Sequence, residues 1–186
     1  MSSPPRLLDR FTLLVATWFG LGYAPVASGT FGALPGALIA YVVAVLSLHS
    51  GAAPAWQVAG QVAFALVLSG LAVPVCDAAE QMLGTKDDGR IVADETLTFP
   101  VCTIGLPLVT APWMLAVAFV VNRVCDIIKP PPARRLQDLH GGVGIVIDDF
   151  IACLYALAIN HAIYWSVAWH GACLFAFIPG MASSTP

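Results

Sequence analysis

Charge is scarce in this chain. Lys, Arg, Asp and Glu make up 10% of its 186 residues, against about 25% in an ordinary soluble domain. That scarcity excludes a water-soluble fold with a charged shell. A net charge of -3 also excludes the basic surface that nucleic acid requires. Cysteine carries little chemistry: there are five, an odd number, with no Cys-x-x-Cys pair. They read as small buried hydrophobes rather than a zinc site. Ten-residue stretches of alternating polarity are missing, which excludes a membrane β-barrel. The Gly-Lys-Ser/Thr ending of a P-loop is missing too.

What is abundant is apolar sequence. The hydrophobic fraction is 59% and the mean hydropathy +0.84, values of a membrane protein. The few charges are confined to three zones, Arg6–Arg10, Asp77–Glu95 and Arg123–Asp149. One domain, residues 1–186, is expected from the length.

In chain order, residues 1–10 form a polar, mobile lead. Phe11–Phe19 is apolar but too short to cross a bilayer. It is expected to stay in the mature protein and lie in the interface, with Trp18 at headgroup depth. Glycines and Pro25 in residues 20–32 forbid regular helix, and Ser28 or Thr30 is expected to cap the next one. Phe31–Leu48 is the first span, with Gly32 and Gly36 on one face for close packing. Trp56–Cys76 is the second, with Gln57, Gln61 and Ser69 turned towards protein and Pro74 kinking the last turn. Asp77–Glu95 is a charged surface loop with a helical start. Pro107, Thr110 and Pro112 break the apolar run that follows into a hairpin, Thr96–Val109 out and Trp113–Ile128 back. Phe150–Trp169 is the last span, anchored by Trp165 and Trp169, and Ala172–Ile178 is a short apolar tail. The expected fold is an all-α polytopic bundle of about five membrane-embedded helical segments, with an N-terminal interfacial segment. All Lys and Arg fall on one side, which the positive-inside rule makes cytoplasmic.

Chemistry is concentrated in NRVCDIIKPPPARRLQDLHGGVGIVIDD, residues 122–149. Arg123, Asp126 and Lys129 share one face if the helix runs through them. Asp126 then suits a metal, while the Arg fork and the Lys point charge suit a phosphate monoester. Three prolines stop that helix, and Arg134 and Arg135 follow as a topogenic pair or as contacts for anionic headgroups. Gly141, Gly142 and Gly144, beside His140, leave backbone N–H groups free for an anion at a helix start. Asp148 and Asp149 point about 100° apart on a helix, so one is expected to face the site fully. Asp94-Glu95 lies where an apolar segment begins, a position with little structural rationale for two acids. Asp87 and Asp88 lie in the preceding loop. Asp94, Glu95, Asp126, Asp148 and Asp149 form a hard oxygen set at one membrane face, the donor set that Mg²⁺ prefers.

Three blocks carry a resemblance: GLGYAPVASGTFGALPG, DDGRIVADE, and NRVCDIIKPPP with HGGVGIVIDD. From about Trp18 to Ala158 the chain resembles the phosphatidylglycerophosphatase A family of bacterial membrane lipid phosphatases. The resemblance implies Mg²⁺-dependent removal of phosphate from phosphatidylglycerophosphate at the cytoplasmic face of the inner membrane. It places the family's acidic positions on Asp87, Asp94, Glu95, Asp126, Asp148 and Asp149, with Asp94, Glu95, Asp126 and Asp149 as metal ligands. Arg123 and Lys129 become phosphate contacts, and Ser28, Gly29, Thr30 and Gly32 the small-residue block, with Thr30, Gly141 and Gly142 towards substrate. The chain departs from the family pattern at Thr98, usually glycine, at Asn122, usually phenylalanine, and at Cys125, usually bulky. The loop Ala133–Leu139 is shortened.

The partners expected are therefore a lipid phosphate and the bilayer, with no nucleic acid and the oligomeric state open. A water or an aspartate serves as nucleophile. The alternatives are a small transporter or proton pathway using acids at helix ends, and a phosphatase acting on another lipid phosphate.

Overall fold

The computed structural model describes residues 7–137 and 139–176, with side chains as far as His170. The described residues form helices, turns and connecting loops, with no strand among them. In order these are α1 (Leu7–Ala16), α2 (Ser28–His49), α3 (Pro54–Leu83), α4 (Ala93–Thr98), α5 (Trp113–Ile128), α6 (Ala133–Leu136) and α7 (Gly142–Ala176). Short 3₁₀ turns follow at Leu21–Tyr23 and at Phe99–Thr103. Three helices are long and apolar enough to cross a membrane: α2, α3 and α7 from Gly142 to His170. The all-helical membrane bundle expected from composition is present, carried by three full-length spans.

The hairpin expected between residues 96 and 128 is present, but its two arms differ. The returning arm is α5, with the expected bounds. The outgoing arm is α4 and the Phe99–Thr103 turn, about 19 Å of helix at the usual rises, followed by irregular backbone. A bilayer core is about 30 Å thick, so this arm enters without crossing. Broken backbone at such depth must be satisfied by protein. Polar side chains on the long helices do so. Asn160 Nδ2 donates to the Cys102 carbonyl at 3.0 Å, His161 Nε2 to the Ile104 carbonyl at 2.9 Å, and the Gly105 N–H to Gln61 Oε1 at 2.8 Å. Gln61 faces protein as expected. Gln57 turns back to the Ala52 carbonyl, and Ser69 is buried against the carbonyl of Ala65.

Gly32 and Gly36 let α2 press on this re-entrant arm. A Cβ at Gly36 would lie 2.6 Å from both the Thr96 carbonyl oxygen and Phe99 Cβ. Gly36→Leu is therefore expected to destabilise the protein by about 1–3 kcal/mol. A thermal melt in detergent reads this as a lowered midpoint, and an unchanged midpoint would mean that α2 does not bear on α4.

Several expectations are corrected. α1 begins at Leu7, so residues 7–10 are helical, while residues 1–6 lie outside the described residues. Neither Ser28 nor Thr30 caps α2. The cap position is Ala27 in left-handed conformation, and Ser28 Oγ instead donates to the Gly89 carbonyl at 2.7 Å. α3 does not end at Cys76 but runs past Pro74 to Leu83, and the helical start expected at Asp77 and Glu80 is present as its continuation. Helix α7 starts at Gly142 rather than at Phe150, which puts Asp148 and Asp149 in its second turn. Of the expected tail, residues 172–176 continue α7, and residues 177–178 lie outside the described residues.

Candidate active site

The site is assembled from elements far apart in sequence. α4 supplies Asp94 and Glu95, α5 supplies Arg123 and Asp126, the turn after α5 supplies Lys129, and α7 supplies Asp148 and Asp149. Arg123 joins the first two. Its guanidinium lies 3.6 Å from Glu95 Oε1 and 3.3 Å from Asp126 Oδ2. This cross-link brings the hairpin's two charged ends to one end of the bundle.

Lys129 is not part of a helical ladder with Arg123 and Asp126. It sits beyond the last turn of α5 with φ +48°, because the residue before proline is driven out of the α region. Its ammonium turns to α7, where it pairs with Asp148, and to Gln137 Oε1 at 3.1 Å. The two aspartates thus divide as follows. Asp148 is held by Lys129, whereas Asp149 lies within reach of the charges of Asp126 and Asp94. Both are buried, at 4% and 6% exposure, so neither has turned away to solvent.

The small-residue block at the start of α2 closes another side. A Cβ at Gly29 would collide with Glu95 Oε1 and approach Arg123 Nη1, and one at Gly32 would meet Val92 and Glu95. Gly22 similarly lets the chain lie against the Arg90 carbonyl. Together with Ser28 on Gly89, and the Val92 N–H donating to the Ala16 carbonyl at 2.9 Å, these contacts fix the loop that leads into Asp94. Within that loop Arg90 grips Asp88 through two hydrogen bonds of 2.8 and 2.6 Å. That grip holds the Asp88 carboxyl below the usual carboxylate range. Asp87, with φ +50°, has its N–H on Glu80 Oε1 at 3.1 Å. It is exposed, yet near enough for Asp94, Glu95 and Asp148 to feel its charge.

Of the remaining expected residues, Thr30 is half-buried in the first turn of α2, and its N–H donates to the Ala27 carbonyl at 2.9 Å. The Gly142 N–H is occupied by the chain's own anion, Asp77 Oδ1, at 3.1 Å. Gly144 N–H goes to the Gly141 carbonyl at 3.0 Å. His140 is exposed on the same turn. Sequence reasoning missed Asp77 as the partner of the α7 start, since its contact spans 65 residues. The only local signal was an acid on the helix that precedes the charged loop.

Five carboxylates surround two cations here, a formal excess of three negative charges when all are ionised. Asp94 Oδ1, Glu95 Oε2, Asp148 Oδ1 and Asp149 Oδ2 are buried without a hydrogen-bond partner among the described residues. Buried carboxylate oxygens without partners are costly, and a hard divalent cation relieves both the charge and the missing bonds. Among the described residues no three His, Cys, Asp or Glu side chains are already drawn together as a shell for one ion. Mg²⁺ does not need such a shell, because it keeps several waters and takes one or two carboxylates together with substrate phosphate. The donor set fits Mg²⁺ on these terms.

Long apolar helices with a buried, acid-rich and cation-bearing site at one end define a polytopic membrane protein with phosphate-ester chemistry within its reach. Residues 14–164 match the family described as Phosphatidylglycerophosphatase A. The Phosphatidylglycerophosphatase A of Escherichia coli K12 is 32% identical over 153 residues, covering 81% of this chain and 81% of that protein. That of Haemophilus influenzae is 34% identical over 154 residues, covering 82% and 88%. A protein of Bacteroides thetaiotaomicron, 29% identical over 161 residues and covering 83% and 94%, bears a name that gives it, provisionally, as a phosphatidylinositol-3-phosphatase. No solved structure matches the chain. The chain belongs to the phosphatidylglycerophosphatase A family.

Proposed function

We propose that this protein hydrolyses the terminal phosphate monoester of phosphatidylglycerophosphate, with Mg²⁺, at the cytoplasmic face of a bacterial inner membrane. The observation that carries the reading is the split site. Carboxylates on α4, α5 and α7, buried or half-buried, stand around Arg123 and Lys129 at the charged end of three membrane spans. Asp94, Glu95, Asp126 and Asp149 are the residues that would hold the cation. When bound there, Mg²⁺ supplies neutralisation of the phosphoryl oxygens and of the charge that builds on them.

The chain's own residues supply the rest. Arg123, shared between Glu95 and Asp126, keeps a fixed guanidinium at the site and offers a planar fork to phosphate oxygens. Lys129, anchored by Asp148 and Gln137, offers a second positive charge from the α7 side. Hydrolysis breaks the bond between phosphorus and the glycerol oxygen and transfers the elements of water, giving phosphatidylglycerol and inorganic phosphate. The acids enter at the ends of the apolar elements, which suits a headgroup at the membrane surface. A transport pathway needs polar groups at mid-depth, and the mid-depth polar residues here, Asn160, His161 and Gln61, bind backbone. The basic residues flanking the site favour the cytoplasmic side. The relative named for a phosphoinositide gives one specific competitor, a different lipid phosphate.

Chelation tests the metal. Phosphate release by purified protein in detergent micelles is expected to stop with excess EDTA and to return when Mg²⁺ exceeds the chelator. Turnover unaffected by EDTA would remove the cation from the mechanism.

A further inference from the structure

Directly beneath the acids lies a second group of polar side chains that the proposed chemistry leaves unused. Asn122, Thr98 and Cys153 are buried, at 2%, 0% and 2% exposure. The Cys153 thiol donates to Asn122 Oδ1 at 3.1 Å. Its sulfur lies 3.8 Å from Thr98 Oγ1, and the Thr98 hydroxyl donates to the Asp94 carbonyl at 2.7 Å. Each member is one step from the site. Asn122 precedes Arg123, Thr98 is one turn beyond Asp94, and Cys153 is one turn beyond Asp149. The three lie on α4, α5 and α7, the three helices that carry the acids.

Burial alone does not call for polar groups here. Cys153 lies in one apolar cluster with Ala118, Ala152, Ala156 and Phe99, and an apolar side chain would pack there at no desolvation cost. A buried hydrogen bond contributes only about 1 kcal/mol net, but it fixes direction and register, which apolar contact does not.

We propose that Cys153 is a positioning residue: bonded to Asn122 and resting on Thr98, it sets Arg123 and Asp94 against Asp149 for catalysis. The thiol touches no substrate and acts through the register of the three helices. The proposal rests on the lipid phosphatase reading above, because its consequence is a change in turnover rather than in stability.

The test compares Cys153→Ala, Asn122→Ala, the double variant and Cys153→Ser in the full chain, purified in detergent micelles with phosphatidylglycerophosphate and Mg²⁺. Cys153→Ala and Asn122→Ala should each lower kcat about tenfold, the scale of a small misplacement of reacting groups, with KM within about twofold. The double variant should be no slower than the slower single one, and Cys153→Ser, which keeps a donor, should retain at least about half of the parent kcat. Thermal midpoints of all variants should stay close to the parent's. Should Asn122→Ala fail to fold, the Ser and Ala variants at position 153 decide the matter by themselves. Parent-like turnover in Cys153→Ala overturns the proposal, as do multiplying losses in the double variant or a Cys153→Ser as slow as Cys153→Ala. A parent inert towards the lipid overturns the reading beneath the proposal and the proposal with it. An active parent with an indifferent position 153 overturns this proposal alone.

Discussion

Asp126→Asn and Asp149→Asn should each give a folded protein that releases phosphate at about a thousandth of the parent rate or less, the scale of losing a principal electrostatic contributor to catalysis. The two residues lie on α5 and α7, close enough for each carboxylate to feel the other's charge. Asn preserves the shape of Asp and removes the charge. Asp149 has a buried oxygen with no partner among the described residues, so neutralising it relieves a cost of folding and should not lower stability. Asp126 is paired with Arg123 at 3.3 Å, and Arg123 keeps Glu95 when that pair is lost. Circular dichroism and gel filtration in detergent check the fold, and phosphate release checks the function. Near-parent activity in both variants would mean that the α5–α7 acids are not the site.

Arg123→Lys should lose about a hundredfold in kcat/KM, although the positive charge is kept. The guanidinium reaches Glu95 on one element and Asp126 on its own helix. A lysine ammonium is a single compact charge and cannot serve both acids while presenting a fork to phosphate. Losing the link to Glu95 also frees the acid that Gly29 and Gly32 are shaped to receive. The measurement is steady-state phosphate release, in which Arg123→Ala should be slower than Arg123→Lys. Parent-like kinetics for the lysine variant would reduce Arg123 to a source of charge.

The parts of the structure that were legible in the sequence have local causes. Trp113–Ile128 is helical between the bounds expected, because Pro112 opens it and Pro130 closes it. Gly32 and Gly36 announced close packing by their spacing of four, and α4 is the surface they receive. The fold-back of the hairpin followed from charge placement together with the breakers Pro107, Thr110 and Pro112, since one long helix would have parted the acids. What was illegible depends on contacts distant in sequence. The outgoing arm breaks its helix after Thr98, and the groups that satisfy it come from Gln61, Asn160 and His161 on two other helices. Nothing near residues 99–105 announces that support.

The same holds within the site. A spacing of three suggested that Lys129 continues the face of Arg123 and Asp126, but Pro130 forces Lys129 off the helix and onto Asp148. That restriction was readable from the proline, whereas the choice of Asp148 as partner was not. Ser28 read as a helix cap and is a tether for the loop of Asp87 and Asp88, because Ala27 takes the cap position and Ser28, already helical, is left to donate to a carbonyl 61 residues away. The acids themselves were found from cost. Carboxylates at the edge of lipid need a reason, and their convergence on Arg123 and Lys129 is that reason.

The central claim is that the acids divided among α4, α5 and α7 form one site that dephosphorylates a lipid. It is tested most directly by inorganic phosphate released from phosphatidylglycerophosphate in Mg²⁺-containing micelles, measured for the parent and for Asp149→Asn, with phosphatidylinositol 3-phosphate as the competing substrate. The account predicts phosphate and phosphatidylglycerol in equal amounts from the parent, little release from the phosphoinositide, and almost none from either lipid with Asp149→Asn. Folded parent protein that leaves phosphatidylglycerophosphate intact, or an Asp149→Asn variant as fast as the parent, would contradict it.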